Sequence, residues 1–294
     1  MNLFGSQSEI GKIRKVLLKS PASAFIDSGT IDQHWNEYNY PSAPDYSEAL
    51  NEYDSFVKIL KDHGIEIDFL PEHKNTGLDS IYTHDPVIIT NNGAILCNMG
   101  KVLREGEPDA AGEELEKIGV PIQGRITGEG RIEGGDVVWL NERLVAVAEG
   151  YRSNSEGIRQ FEALLGDSVD QVIAVPLPHW DGPDDVLHIM SMISPIDKDL
   201  AVVYSRLMAV PFREKLLELG FTLIEVSDDE YLTMACNVLA LEPGVCLMLE
   251  GNPKTKSRIE EHGCKVITYK GDEISRKGAG GPTCLTRPIH REYH

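Results

Sequence analysis

Residues 132–175, IEGGDVVWLNERLVAVAEGYRSNSEGIRQFEALLGDSVDQVIAV, carry one complete copy of the repeat that decides the fold of this 294-residue chain. The apolar runs and turn residues predict a strand over 137–140, a turn at 141–142, a strand over 144–148, a helix over 153–165 and a strand over 171–175. A unit of this size buries one face against its neighbours, so the pattern predicts further copies on either side.

The same order of elements recurs before and after this stretch. The preceding copy comprises strands over 87–90 and 94–98, joined by the turn Asn91-Asn92-Gly93, and a helix over 109–118 followed by a short strand. Two following copies start at residues 188 and 237. A fifth combines the C-terminal tail with the N-terminal segment, which has a strand over 15–19, a loop over 20–40, a helix over 45–63 and a strand over 65–70. Five units at a period of roughly 50 residues predict one closed α/β domain over 1–294, although such alternation also arises by chance.

The charge of the chain narrows the classes of partner. There are 47 acidic and 28 basic residues, which give a formal net charge of −19. Such a surface repels phosphate backbones and anionic lipid, so nucleic acid and membrane are not expected as partners, and it is compatible with a cationic substrate. Maintaining solubility is the simpler explanation of this charge, and we favour it over a role in steering a substrate. Neither a secretory signal nor an apolar run of about 18 residues is evident, so we expect a cytoplasmic protein.

The five cysteines form an odd set, and none of them is in a CxxC pair: Cys97, Cys236, Cys246, Cys264 and Cys284. A disulfide framework and a metal site of the zinc type are therefore not expected. Cys284 differs from the others because it follows Gly280-Gly281-Pro282, a stiff loop that allows close backbone approach and presents the thiol at a fixed place. A presented thiol predicts a nucleophile that requires a proton carrier elsewhere in the chain.

Polar residues precede the first strands of three other units. Asp85 is followed by Pro86, which favours an extended backbone. Glu133 and Asp136 flank a diglycine, and buried unpaired carboxylates are explained by a bound cation. His188 lies in an apolar run. Taken singly, these residues are typical of a capping aspartate or a core histidine, but equivalent ends of repeated units converge on one axis.

Arg104 and Arg152 follow the second strands of two successive units. Arginine is suited to a bidentate grip on a carboxylate, and both residues are candidates for binding an acidic group of a substrate. A solvated surface position is the alternative for each.

Together these residues resemble the guanidino-group-modifying superfamily, which has the pentein fold and includes arginine deiminase, dimethylarginine dimethylaminohydrolase and the amidinotransferases. The motifs that carry the resemblance are Glu133-Gly134-Gly135-Asp136, the run 237–241 and Gly280 to Cys284. The resemblance implies an α/β propeller of five strand–strand–helix–strand units around a pseudo-fivefold axis. The final third of the sequence is most similar to bacterial arginine deiminases. The chain is too short for the helical insertion that those enzymes carry, and its length is similar to that of the dimethylarginine hydrolases.

The resemblance also implies roles for individual residues. Cys284 would be the nucleophile and His188 the general acid and base. Glu133 and Asp85 would hold the guanidinium, with Asp136 as a further binding residue, and Arg104 and Arg152 would clamp the α-carboxylate. Deiminases and amidinotransferases have an aspartate two residues after the histidine, where this chain has Met190. The dimethylarginine hydrolases also lack it, and an apolar residue there favours an N-substituted guanidine.

The resulting hypothesis is a cofactor-free hydrolase that acts on an arginine-like guanidinium through a thiouronium adduct. Amidino transfer and arginine dihydrolysis use the same intermediate and remain open. A silent arginine-binding module is the non-enzymatic alternative. The expected partner is a small guanidino compound, and homo-oligomerisation is left open.

Overall fold

Five three-stranded sheets make up the computed structural model, which describes residues 4–293. The strands are β1 (Lys12–Leu18), β2 (Glu66–Phe69), β3 (Val87–Thr90), β4 (Gly93–Leu96), β5 (Ile122–Arg125), β6 (Val137–Asn141), β7 (Leu144–Glu149), β8 (Gln171–Pro176), β9 (Ile193–Asp197), β10 (Leu200–Val203), β11 (Thr222–Glu225), β12 (Val238–Glu242), β13 (Val245–Leu249), β14 (Lys265–Tyr269) and β15 (Arg287–Glu292). The helices are α1 (Pro21–Ala24), α2 (Ser28–His34), α3 (Tyr46–Asp62), α4 (Glu107–Lys117), α5 (Ser155–Leu165), α6 (Val210–Glu218), α7 (Asp228–Tyr231) and α8 (Pro253–Glu261).

Every sheet has the same internal order. Its first two strands are antiparallel, and its second and third strands are parallel and joined through a helix. In the first unit, β15 from the C-terminal end pairs with β1, so this unit is assembled from both ends of the chain. The predicted repeat of five strand–strand–helix–strand units, and with it the pentein α/β propeller, is confirmed.

Burial follows this layered arrangement. The strands β3, β4 and β10 are buried along their whole length, because neighbouring units cover one face and helices the other. The third strand of each unit lies at a sheet edge and consists mainly of partly buried and exposed residues. The helices end where the sequence predicted, since Gly64 and Gly119 adopt φ values of 72° and 86°.

Two segments differ from the sequence prediction. The strand predicted from residue 188 begins only at Ile193, because residues 189–191 form a 3-10 turn after His188. The chain turns here because Ile189 N donates a hydrogen bond to the Asp136 carboxylate at 3.2 Å. This contact between distant segments cannot be seen in the apolar pattern of the sequence. The loop predicted over 20–40 contains the short helices α1 and α2, capped by Ser20 and Asp27.

The first strands of the units bring one polar residue each to the same end of the fold. Asp85 precedes β3, Asp136 precedes β6, His188 precedes β9, Asn237 precedes β12 and Cys284 precedes β15. Because equivalent ends of the units face the common axis, residues far apart in sequence become neighbours. In the described part of the chain, no helix has both the length and the apolar character needed to span a membrane.

Candidate active site

Cys284 lies at the edge of a cavity of about 150 Å³ and is the only partly exposed cysteine among those described. Its loop is held to the second unit, because His84 N donates a hydrogen bond to Cys284 O at 3.2 Å and His84 Nδ1 lies 2.8 Å from Thr286 O. Burial, together with the charge of Asp85, raises the pKa of the Cys284 thiol to about 12. The thiol is therefore neutral near pH 7 before a substrate binds.

His188 lines the same cavity and is paired with an acid. Its Nε2 lies 2.7 Å from Glu133 Oε2, and its Nδ1 lies 3.9 Å from Asp85 Oδ1. Burial by itself would lower the pKa of His188, but the charges of Asp136 and Asp85 and the hydrogen bond to Glu133 raise it to about 9. His188 is thus an imidazolium at neutral pH.

Glu133 is fully buried and is oriented by the backbone of the preceding unit. Its Oε1 accepts hydrogen bonds from Gly100 N at 2.9 Å and from Lys101 N at 3.3 Å, which leaves Oε2 for His188. Burial would raise the pKa of Glu133, but the hydrogen bond and charge of His188 outweigh this effect and lower it. Glu133 therefore remains a carboxylate inside the protein.

Asp85 lies behind His188 and is bound to an arginine. Its Oδ2 accepts a hydrogen bond from Arg104 Nη1 at 2.6 Å, and its Oδ1 accepts one from Gly135 N at 3.0 Å. Burial opposes ionisation, but the Arg104 guanidinium and His188 hold the pKa of Asp85 below its ordinary value. A side chain at Gly135 would collide with both Asp85 and His188, which explains the diglycine.

Arg104 is buried, and four of its five N–H groups are engaged within the chain. Glu107 binds Nε and Nη2, Tyr82 O accepts from Nη2, and Asp85 accepts from Nη1. The predicted contact of Arg104 with a substrate carboxylate stays a prediction. In this geometry Arg104 holds Asp85 in place.

Asp136 is also directed into the protein. Its Oδ2 accepts a hydrogen bond from Ser153 Oγ at 2.6 Å, and its Oδ1 accepts one from Ile189 N. Burial raises the pKa of Asp136 to about 6. Because Asp136 does not line the cavity of Cys284, this geometry favours orientation of the His188 loop over the predicted contact with a substrate, which no observation tests.

Arg152 lies on the other side of Glu133. Its Nη1 is 3.7 Å from Glu133 Oε1, and its Nη2 donates a hydrogen bond to Asp185 O at 3.3 Å. Arg152 borders a separate small cavity with Asp185. Its role as a carboxylate clamp stays a prediction.

One wall of the main cavity is apolar. It is formed by Trp180, Met190, Tyr231, Leu232 and Met234. Trp180 packs edge-on against Tyr231, which stacks on Tyr204 with ring centroids 3.8 Å apart. Met190 faces this cavity, as its alignment with the missing aspartate requires.

Sequence reasoning assigned no role to several residues around the site. Glu107 forms a buried ion pair with Arg104, and the partly buried Lys101 pairs with Asp79, with Lys101 Nζ 2.6 Å from Asp79 Oδ2. Burial raises the pKa of Glu107 to about 7 despite its pairing with Arg104. Asn237 belongs to a motif that the sequence singled out, and its Nδ2 donates to Cys284 Sγ at 3.3 Å. Its position directly before β12, equivalent to Asp136 before β6, was the available signal.

Chemically, the site combines a thiol and an imidazolium that line one cavity with the buried carboxylates of Glu133 and Asp85, which lie beside the imidazolium but do not line the cavity. A cation beside Sγ would stabilise the thiolate, and His188 can donate a proton to a leaving group. Within residues 4–293, no group of three or more His, Cys, Asp or Glu side chains could hold a metal ion. That no metal or cofactor takes part stays a prediction.

Comparison with known proteins gives a family for this chain and several relatives. Residues 26–291 match the family described as eukaryotic N,N dimethylarginine dimethylhydrolase. The N(G),N(G)-dimethylarginine dimethylaminohydrolase of Pseudomonas aeruginosa is 26% identical over 274 residues, which cover 93% of this chain and 98% of that protein. The arginine deiminase of Mycobacterium avium is 27% identical over 192 residues, covering 55% of this chain and 46% of the deiminase.

A solved structure shares the fold. The dimethylarginine dimethylaminohydrolase of Pseudomonas aeruginosa, a cysteine-to-serine mutant in complex with citrulline, superposes with a TM-score of 0.76 at 24% identity. The superposition covers 94% of this chain and 98% of that one. Because the family match spans most of the sequence and the five-unit fold agrees with it, the chain belongs to the N,N dimethylarginine dimethylhydrolase family of the guanidino-group-modifying, or pentein, superfamily.

Proposed function

We propose that this protein is a cysteine-dependent hydrolase of the guanidinium group of arginine or of an N-substituted arginine, such as a methylated one. The products are a citrulline-type ureido compound and ammonia or an alkylamine. Family membership supports chemistry at a guanidino carbon. The observation that carries the proposal is that Cys284 and the doubly held His188 border one cavity.

The first half of the reaction forms a covalent adduct. The substrate guanidinium lowers the pKa of Cys284 by charge pairing, so the thiol loses its proton to solvent. The thiolate then attacks the central guanidino carbon. The neutral tetrahedral adduct collapses as the C–N bond to the departing amine breaks, and the proton of the His188 imidazolium goes to that amine. A thiouronium cation on Sγ, a neutral amine and a neutral His188 remain.

The second half uses the same histidine in reverse. Neutral His188 takes a proton from water, and the resulting hydroxide attacks the thiouronium carbon. The C–S bond then breaks, the hydroxyl becomes the ureido carbonyl, and its proton returns to Sγ or to solvent. The released amine takes up one proton, so the cationic substrate and water yield a neutral ureido compound and an ammonium ion.

The apolar wall supports an N-substituted guanidine as the substrate. An unsubstituted N–H pair facing Met190 and Tyr231 would lose its water partners without replacement, which costs roughly 1–3 kcal/mol. A methylated nitrogen loses much less. The proposed order of preference is therefore methylated arginine over arginine.

A substrate panel tests this function. Purified protein is incubated with arginine, mono- and dimethylated arginine, agmatine and guanidino acids, and ureido and amine products are quantified with and without an added acceptor amine. Ureido product without acceptor, lost in Cys284→Ser at unchanged melting temperature, is the expected result. A guanidino product formed only with acceptor would instead establish amidino transfer, and turnover by Cys284→Ser would refute the proposal.

A further inference from the structure

Asn237 contacts both the thiol and the backbone of the Cys284 loop. Its Nδ2 lies 3.3 Å from Cys284 Sγ, and its Oδ1 accepts a hydrogen bond from Thr283 N at 3.1 Å. A Cβ added at Gly281 would collide with the Asn237 amide, so this glycine leaves space for it. The Asn237 amide thus packs directly against the backbone of the Cys284 loop.

The two contacts determine which way the amide points. A backbone N–H can only donate, so the atom facing Thr283 N must be the acceptor Oδ1. The NH₂ group is then directed at Sγ. A thiolate is a stronger acceptor of such a hydrogen bond than a thiol, because hydrogen bonds to charged groups are the stronger class.

We propose that Asn237 is a dedicated hydrogen-bond donor to the Cys284 thiolate and lowers the free energy needed to form this thiolate, whether or not a substrate is bound. This proposal deepens the proposed function and rests on Cys284 as its nucleophile. Asn237 is the only described side chain that donates a hydrogen bond to Sγ. It also completes a ring, since each of the five units then contributes one polar residue to the site.

Burial makes the Cys284 thiolate costly to form, so a hydrogen-bond donor at Sγ contributes to its stability. The titratable or charged groups that face or influence Sγ are Asp85, Arg104, His188, Tyr82 and Tyr269. Burial and Asp85 both disfavour the thiolate, whereas the Asn237 hydrogen bond favours it. An amide can do this without titrating and without competing with a guanidinium for the carboxylates.

The test measures the reactivity of Cys284 without a guanidino substrate. Protein is treated with iodoacetamide between pH 8 and 10, and alkylation of the Cys284 peptide is followed by mass spectrometry. Losing a hydrogen bond to a charged acceptor should raise the thiol pKa of Asn237→Ala by about 1–2 units. Since a more basic thiolate is also more nucleophilic, alkylation at a given pH should become about 3- to 15-fold slower.

Asn237→Asp separates the two contacts of the amide. A carboxylate still accepts from Thr283 N and preserves the loop, but it cannot donate to Sγ and adds a negative charge. Alkylation of Asn237→Asp should be at least as slow as alkylation of Asn237→Ala. Because aspartate is nearly isosteric with asparagine, Asn237→Asp can be tested even if Asn237→Ala does not fold. Alkylation of Asn237→Asp at the wild-type rate would overturn the proposal, because Asn237 would then only hold the loop.

Asn252→Asp is the matched control. Asn252 is a buried asparagine whose Nδ2 donates to Leu249 O and Thr233 O, away from the thiol. The Asn252→Asp variant should have a lower melting temperature and an unchanged rate of Cys284 alkylation. If its alkylation slowed as much as that of the Asn237 variants, general destabilisation would explain the effect and the proposal would be overturned. Alkylation does not depend on turnover, so activity retained in Cys284→Ser would refute the proposed function and leave this measurement intact.

Discussion

Replacing Glu133 with Gln should convert His188 from an imidazolium into a neutral imidazole at pH 8. Glu133 Oε1 already accepts hydrogen bonds from Gly100 N and Lys101 N, and these donors will keep the oxygen of a glutamine amide at that place. The amide NH₂ then replaces the oxygen that lies 2.7 Å from His188 Nε2. A donor facing Nε2 requires this nitrogen to be an acceptor, which only the neutral ring provides.

The magnitude follows from the exchange of these hydrogen bonds. The imidazolium loses a charged partner, worth about 1.5–3 kcal/mol, and the neutral ring gains a neutral hydrogen bond of about 0.5–1.5 kcal/mol. At 1.36 kcal/mol per pKa unit, the pKa of His188 should fall by about 1.5–3 units. Starting from about 9, the protonated fraction at pH 8 should fall from about nine-tenths to less than about a quarter.

The assay is an NMR titration of the His188 ring between pH 5 and 10, in the Cys284→Ser background so that the thiol does not titrate. A His188→Gln variant identifies the resonance among the nine histidines. Glu162→Gln, at an exposed glutamate, is the control and should leave the midpoint unchanged. In the active enzyme, the alkaline limb of kcat should move to lower pH, because the proton donor is lost earlier. A midpoint that stays near 9 in Glu133→Gln would refute the assignment of Glu133 as the partner that keeps His188 protonated.

Two further substitutions test how the substrate is held. Arg152→Ala should raise KM for arginine-type substrates by about tenfold or more, because a hydrogen bond to a charged group is lost. The KM for agmatine, which lacks the carboxylate, should not change. An equal rise in KM for both substrates would show that Arg152 acts through Glu133, 3.7 Å away. Met190→Asp should shift the ratio of kcat/KM for methylated arginine over arginine toward arginine, whereas the apolar control Met190→Leu should preserve it. An unchanged ratio in Met190→Asp would place this side chain away from the guanidinium.

Much of the fold follows from local patterns in the sequence. The strands Val87–Thr90 and Gln171–Pro176 lie within one residue of where apolar runs and turn residues predicted them, and helix α3 agrees within one residue at each end. The start of the fourth unit was wrong because residues 189–191 are turned by the Asp136 carboxylate, a contact between distant segments. Helices α1 and α2 were missed although Ser20-Pro21 and Asp27 are ordinary N-terminal signals.

The site was predictable to the extent that it follows from the repeat. Equivalent unit ends predicted that His188 and Cys284 meet, and the cavity they share confirms this proximity. The pairing of Arg104 with Asp85 and Glu107 was not predictable, because it depends on where a 3-10 turn directs one side chain. The Asn237 contact requires the register between β12 and the C-terminal loop, which no local pattern contains.

The central claim is that Cys284 forms the covalent bond to the guanidino carbon. The most direct measurement is peptide mass mapping of protein quenched in acid during turnover of a methylated arginine, with wild type and Cys284→Ser side by side. We expect an adduct with the mass of the substrate minus its departing amine on the Cys284 peptide of the wild type, and neither adduct nor ureido product in Cys284→Ser. An adduct on another residue, or ureido product formed by Cys284→Ser, would contradict the mechanism.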